Sequence, residues 1–133
     1  MSPDEASDAF PLAQVNRIVS ELECSRRFYA RLGWRFRTMG DQALMAEAPG
    51  GLLVALHLPD FTRTWNSGYE GATGWAAVLD VDVPDRETVD RLHAELVADG
   101  HQSPQPPFDA FFGSRYAIVR DPDGNLIGLK SPR

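Results

Sequence analysis

The chain has 133 residues, room for one ordinary domain, and 43% of them are hydrophobic, enough to bury a core. Apolar runs such as Leu52–Leu56 stop far short of the roughly 18 residues that a membrane helix needs, so no membrane partner is expected. Thirteen Lys and Arg against nineteen Asp and Glu leave a net charge of −6, which repels nucleic acid and favours a neutral or cationic ligand. A lone Cys24 excludes an intrachain disulfide, and the acidic start Met1–Glu5 lacks the basic-then-apolar pattern of an export signal. The cytoplasm is the expected location.

Residues 1–9, rich in Ser, Asp, Pro and Glu, carry no periodicity and read as a flexible arm. A single domain is expected over 10–133. Ala13–Val19 is extended, and Ser20–Glu23 supplies helix-start chemistry ahead of Phe28, Tyr29 and Leu32, with Gly33 as the stop. Trp34–Met39, Ala43–Ala48 and Leu52–Leu58 follow as short extended runs separated by Gly40-Asp41 and Pro49-Gly50-Gly51. Pro59–Thr73, polar and glycine-bearing, reads as a crossover. Gly74–Val81 is again extended, Asp85 is positioned as an N-cap, and Val89, Leu92, His93, Leu96 and Val97 recur at helical spacing until Gly100. His101–Gln105, Arg115–Arg120 and Leu126–Lys130 are the remaining strands, the last two joined by the turn Asp121-Pro122-Asp123-Gly124-Asn125.

Each half therefore reads βαβββ, as modules of about 12–58 and 74–131. The fold class is α+β, two such modules forming a curved, partly open mixed sheet around a cleft. A small ligand belongs in that cleft.

Ser25-Arg26-Arg27-Phe28-Tyr29 with Leu32-Gly33-Trp34, the second helix ending in Gly100, the segment Pro107–Tyr116 and Asp121–Ile127 stand in a telling order. In that order they resemble the glyoxalase, bleomycin-resistance and extradiol-dioxygenase group, the vicinal oxygen chelate superfamily. The resemblance implies a glyoxalase-like fold and one divalent metal held by His or Gln on the first strand, a carboxylate on the fourth, His on the fifth and Glu on the eighth. Here those positions fall on Gln14 (with Asn16 next on the same side), Ala55, one of Gly74, Trp75 and Ala76, and Gly128. A divalent ion wants three or more protein donors, and this set offers at most one amide oxygen. No metal and no cofactor are expected.

Of the three histidines, His93 and His101 read as structural, whereas alternation sets His57 beside Ala55 on the cleft side, as a candidate for ligand contact or proton transfer. Gly128 leaves room where a ligating side chain would stand, as either a pocket or a bend requires. Trp65, Tyr69, Trp75, Phe108, Phe111 and Phe112 rim the cleft as stacking surfaces, and Arg115 and Asp109 either pair with each other or grip a polar ligand group. Cys24 reads as an incidental thiol. The expected ligand-binding set is Gln14, His57, Trp65, Trp75, Phe108, Phe111, Arg115 and Gly128. The expected function is metal-free binding of an aromatic or cationic compound by a homodimer, as in drug-sequestering resistance proteins. The alternative is an enzyme of the same fold, a lyase, isomerase or dioxygenase, with His57 and Asp109 or Tyr116 as acid and base.

Overall fold

Along β1 (Gln14–Ile18), the buried and half-buried residues Val15 and Arg17 alternate with the exposed Gln14 and Asn16. This is the period of a strand with one covered face. In the computed structural model, which describes residues 11–71 and 77–133, β1 runs parallel to β4 (Leu53–His57). β4 pairs antiparallel with β3 (Ala43–Glu47), and β3 with the two-residue β2 (Arg37–Thr38), giving the order β1-β4-β3-β2. The expected N-terminal arm and the Gly74–Ala76 part of the fifth strand lie outside the described residues.

A parallel pair needs a crossover, and α1 (Leu22–Ala30) provides it. Its amphipathic spacing buries Phe28 and Tyr29, and Val19, Leu44, Ala46, Val54 and Leu56 of the same unit are buried too, all at most 3% exposed. The Tyr29 ring lies edge-on to Phe28 and flat against Trp34, 5.3 Å between centroids, which ties the strand after the helix to the core. The N-cap falls on Glu21 without a side-chain capping bond, and Gly33, at φ 87°, ends the turn after the helix.

The second unit repeats this order. β5 (Val78–Asp82) is parallel to β8 (Leu126–Lys130), followed by β7 (Arg115–Arg120) and the edge strand β6 (Gln105–Asp109), in the order β5-β8-β7-β6. The crossover is α3 (Arg86–Ala98), capped as expected by Asp85, whose carboxylate accepts from the Thr88 N–H at 2.8 Å. Its Val89 and Leu96 are fully buried, as are Ala117, Val119, Ile127 and Leu129 of the sheet. The Asp121–Asn125 turn forms as expected, with Asp121 Oδ1 accepting from the N–H groups of Asp123 and Asn125.

The chain thus consists of two compact units, divided between Tyr69 and Glu70. Both sheets are four-stranded and mixed, and the class is α+β. No helix among the described residues is long and apolar enough to cross a membrane.

Two elements depart from expectation. The stretch from Pro59 is not an open crossover but begins with α2 (Pro59–Trp65), with proline at its first position, Asp60 in its first turn and the buried Thr62 hydroxyl donating to the Leu58 carbonyl. The strand expected at His101–Gln105 instead starts at Gln105. Residues before it follow β7 through single bonds, Arg120 N–H to the Gln102 carbonyl and Ser103 Oγ to the Ile118 carbonyl, and a register shift then carries Pro106 and Pro107 past the ladder.

Candidate functional site

In the first unit, ladder register places Asn16, Ala55 and Met45 in one row, and Ile18, His57 and Ala43 in the next but one. These residues and Gln14 share the face opposite Val54 and Leu56. Gln14 and Asn16 are exposed and bonded to each other, amide to amide, at 2.6 Å. Only Leu58 separates β4 from α2, so the helix folds straight back over the end of the strand. Phe61 and Trp65, one helical turn apart, come to rest edge-on against the His57 ring, with centroids at 4.8 and 5.5 Å.

The imidazole is 8% exposed, and its Nδ1 is fully covered with no hydrogen-bond partner among the described residues. Burial holds its pKa below the ordinary 6.5, so the ring is neutral at pH 7. A neutral imidazole offers one donor and one acceptor. Trp65, at 46% exposure, is the outer wall of this box.

In the second unit, Asp80, Gly128 and Ile118 form one row, and Tyr116 sits beside Lys130 in the next but one. The Tyr116 hydroxyl donates to Asp80 Oδ1 at 2.6 Å, a bond that passes directly over Gly128. A Cβ on residue 128 would collide with both of these oxygens, and would stand 3.0 Å from the tyrosine ring. The room made by Gly128 is therefore filled by a cross-strand clasp. Burial first, and then the Asp80 carboxylate, raise the Tyr116 pKa well above its ordinary 10, so the phenol keeps its proton. Phe112 meets the Tyr116 ring edge-on at 5.5 Å, and Lys130 Nζ lies 5.6 Å from the Phe112 centroid.

The remaining expected residues are distributed as follows. Phe108 lies opposite Tyr116 in the ladder and is 39% exposed, while Phe111 is 99% exposed and touches Phe112 edge-on. Arg115 points to the helix-covered side, where Asp90 of α3 at 2.9 Å and Asp109 at 3.3 Å hold it, and Arg86 shares Asp109. Trp75 lies outside the described residues. His93 is bonded to the Ser103 hydroxyl at 2.9 Å, the structural role its spacing suggested. The Cys24 thiol donates to Glu21, which raises its pKa above the ordinary value and keeps it protonated. The sequence reading missed Asp80 and Phe61. Asp80 was recoverable only through its register with Gly128, and Phe61 only through the helix.

The residues at the positions assigned to a metal do not suit one. Ala55 is fully buried and has no donor, Gln14 offers a single amide oxygen while its N–H donates to Asn16 Oδ1, and the Asp80–Tyr116 clasp fills the space of an eighth-strand side chain. Among the described residues, no group of three or more His, Cys, Asp or Glu side chains is placed to hold a metal ion.

The order of the strands, the two crossover helices and the turn before β8 define a superfamily, and the sequence matches it. The model of the glyoxalase/bleomycin resistance protein/dioxygenase superfamily matches residues 12–129, and the chain belongs to that superfamily. No functionally curated protein matches the sequence significantly. Among solved structures, a glyoxalase-related enzyme from Fulvimarina pelagi superposes with a TM-score of 0.80 at 23% identity, over 92% of this chain and 88% of that one. A glyoxalase/bleomycin resistance protein/dioxygenase family enzyme from Burkholderia phytofirmans gives 0.79 at 17% identity, over 90% and 96%. A lactoylglutathione lyase from Agrobacterium tumefaciens gives 0.66 at 15% identity, over 93% and 95%. At these identities the likeness is one of fold.

Proposed function

We propose that the protein binds a small aromatic or cationic compound without a metal ion, in the manner of a drug-sequestering member of its superfamily. The observation that carries this reading is the replacement of the metal donors, by Ala55 on β4 and by the Asp80–Tyr116 clasp over Gly128 on β8. Each unit, taken by itself, sets an aromatic surface beside its replacement: the His57 box with Phe61 and Trp65 in the first, and the Tyr116–Phe112 pair with Phe108 in the second. The net charge of −6 favours a ligand that is neutral or positive. Binding here means stacking and exclusion of water on an aromatic face, worth about 0.5–1.5 kcal/mol per ring pair beyond area burial. Action in the cytoplasm as a homodimer belongs to the same reading, and light scattering coupled to size exclusion tests the second part.

Elemental mass spectrometry on chelator-stripped protein, offered Mn, Fe, Co, Ni and Zn in turn, is the first test. No ion is expected at stoichiometry, and a thermal-shift screen of planar and cationic compounds is expected to yield stabilising ligands. One tightly held ion per chain would replace this reading with a metalloenzyme, and a screen without hits would end it.

The clasp also bears on a second reading, a metal-free isomerase or cyclase in which Asp80, held by a Tyr116 phenol that keeps its own proton, is the base that takes a proton from a bound compound. Under that reading Tyr116→Phe abolishes turnover of a bound compound while its affinity persists.

A further inference from the structure

Resting on the reading of this chain as a small-molecule binder, we propose that His57 is the ligand's polar anchor. Its Nδ1 accepts a hydrogen bond from the O–H or N–H of a planar, uncharged ligand admitted past Trp65.

The hydrogen bonding of the His57 ring is incomplete. The ring is more than nine-tenths buried, and Nδ1 meets no partner among the described residues. A buried N–H without an acceptor is rarer in native structures than a buried acceptor without a donor. The proton therefore resides on Nε2, and Nδ1 presents a lone pair. That lone pair selects a donor, and the neutral state that burial imposes on the ring gives no preference for an anion.

The walls select the body of the ligand. Phe61 and Trp65 both stand steeply inclined to the imidazole plane, and the residues beside it across the sheet include the small Ala43. Ala55, two positions before it on the same face, is also small. A flat apolar body fits such surroundings, with one polar hydrogen aimed at the ring. A phenolic hydroxyl and a heteroaromatic N–H are the two simplest groups of that kind.

Entry requires a moving part, because Nδ1 is covered. Thr62 pins α2 from its buried side through its bond to the Leu58 carbonyl, whereas Trp65 is the last residue of the helix and nearly half exposed. Rotation of its indole is the motion that entry calls for.

Phenol and anisole serve as probes, since they share a ring and differ in the donor. Nitrogen-15 NMR of the histidine side chains in the full chain is expected to show His57 as the Nε2–H tautomer. Phenol should move the Nδ1 resonance and bind about fivefold more tightly than anisole, the ratio that one net hydrogen bond supplies. In His57→Phe the ratio should fall to one while anisole binding persists. An Nδ1–H tautomer, or equal affinities of the two probes for the unaltered chain, overturns the proposal. Failure of both probes to perturb His57 overturns it too. The tautomer is read on the unaltered protein, so a variant that fails to fold leaves the test intact. The compound screen decides separately whether the chain binds small molecules at all.

Discussion

Gly128 illustrates how much one missing atom can decide. Its hydrogen allows two side chains to meet over the backbone, and Gly128→Ala must break or displace that meeting. Overpacking of this kind costs about 1–3 kcal/mol, measurable as a lower urea midpoint. Adding Tyr116→Phe, which removes the colliding hydroxyl, is expected to recover part of that loss, so the double mutant should be less than additive. If the two losses simply add, the clasp does not occupy the space over residue 128.

His57 and His93 supply a pH dependence. Burial lowers both pKa values below the ordinary 6.5, the neighbouring Asp90 opposing it only in part at His93. The unfolded chain therefore takes up these protons first, and acid favours it. The stability that rests on the two neutral rings is complete above pH 6.5 and is lost as pH falls from there through the lowered values. Urea titrations between pH 7.5 and 5 should show the fall, and His57→Phe should flatten it. At this scale, residues counted from a rigid marker were legible. Gly128 follows the Asp121–Asn125 turn at a fixed distance, so its place on β8 was known. Asp80 has no such marker, and nothing in the sequence sets it apart from the nearby Asp82.

Helix periodicity and caps made α1 and α3 readable because each spans enough turns to repeat its buried face. In α3 that face is Val89 and Leu96, and Leu96→Ala is expected to cost about 2–5 kcal/mol, with a lower thermal midpoint in calorimetry. A loss well below this range would mean that α3 is not the cover of its sheet. α2 was illegible for the opposite reason. Seven residues give less than two full repeats, and its covered members, the half-buried Phe61 and the buried Thr62, are mixed in polarity. β6 failed differently, since two adjacent prolines read as a break, whereas an edge strand tolerates them on its unpaired side.

At the scale of the molecule, the duplicated order was legible from the elements alone, although the halves share little sequence. Strand order within each sheet confirms it, with the last strand of each unit inserted beside the first. Charge acts at this scale too. If the ligand is cationic, the −6 field speeds its arrival, and stopped-flow association should slow as ionic strength rises. A rate indifferent to salt would assign the charge to solubility alone.

The insertion of the last strand also sets a timetable for folding. β3 can zip onto β4 through a short loop, whereas Gln14 must wait for Leu53 and Val78 for Leu126, so each parallel pair closes the longest loop in its unit. The antiparallel strands are then the nucleus, and the opening strand docks after the rate-limiting barrier. Leu44→Ala on β3 should slow refolding, while Val19→Ala, at the end of β1, should chiefly hasten unfolding. Each half of this chain would thus complete its sheet with the strand that left the ribosome first.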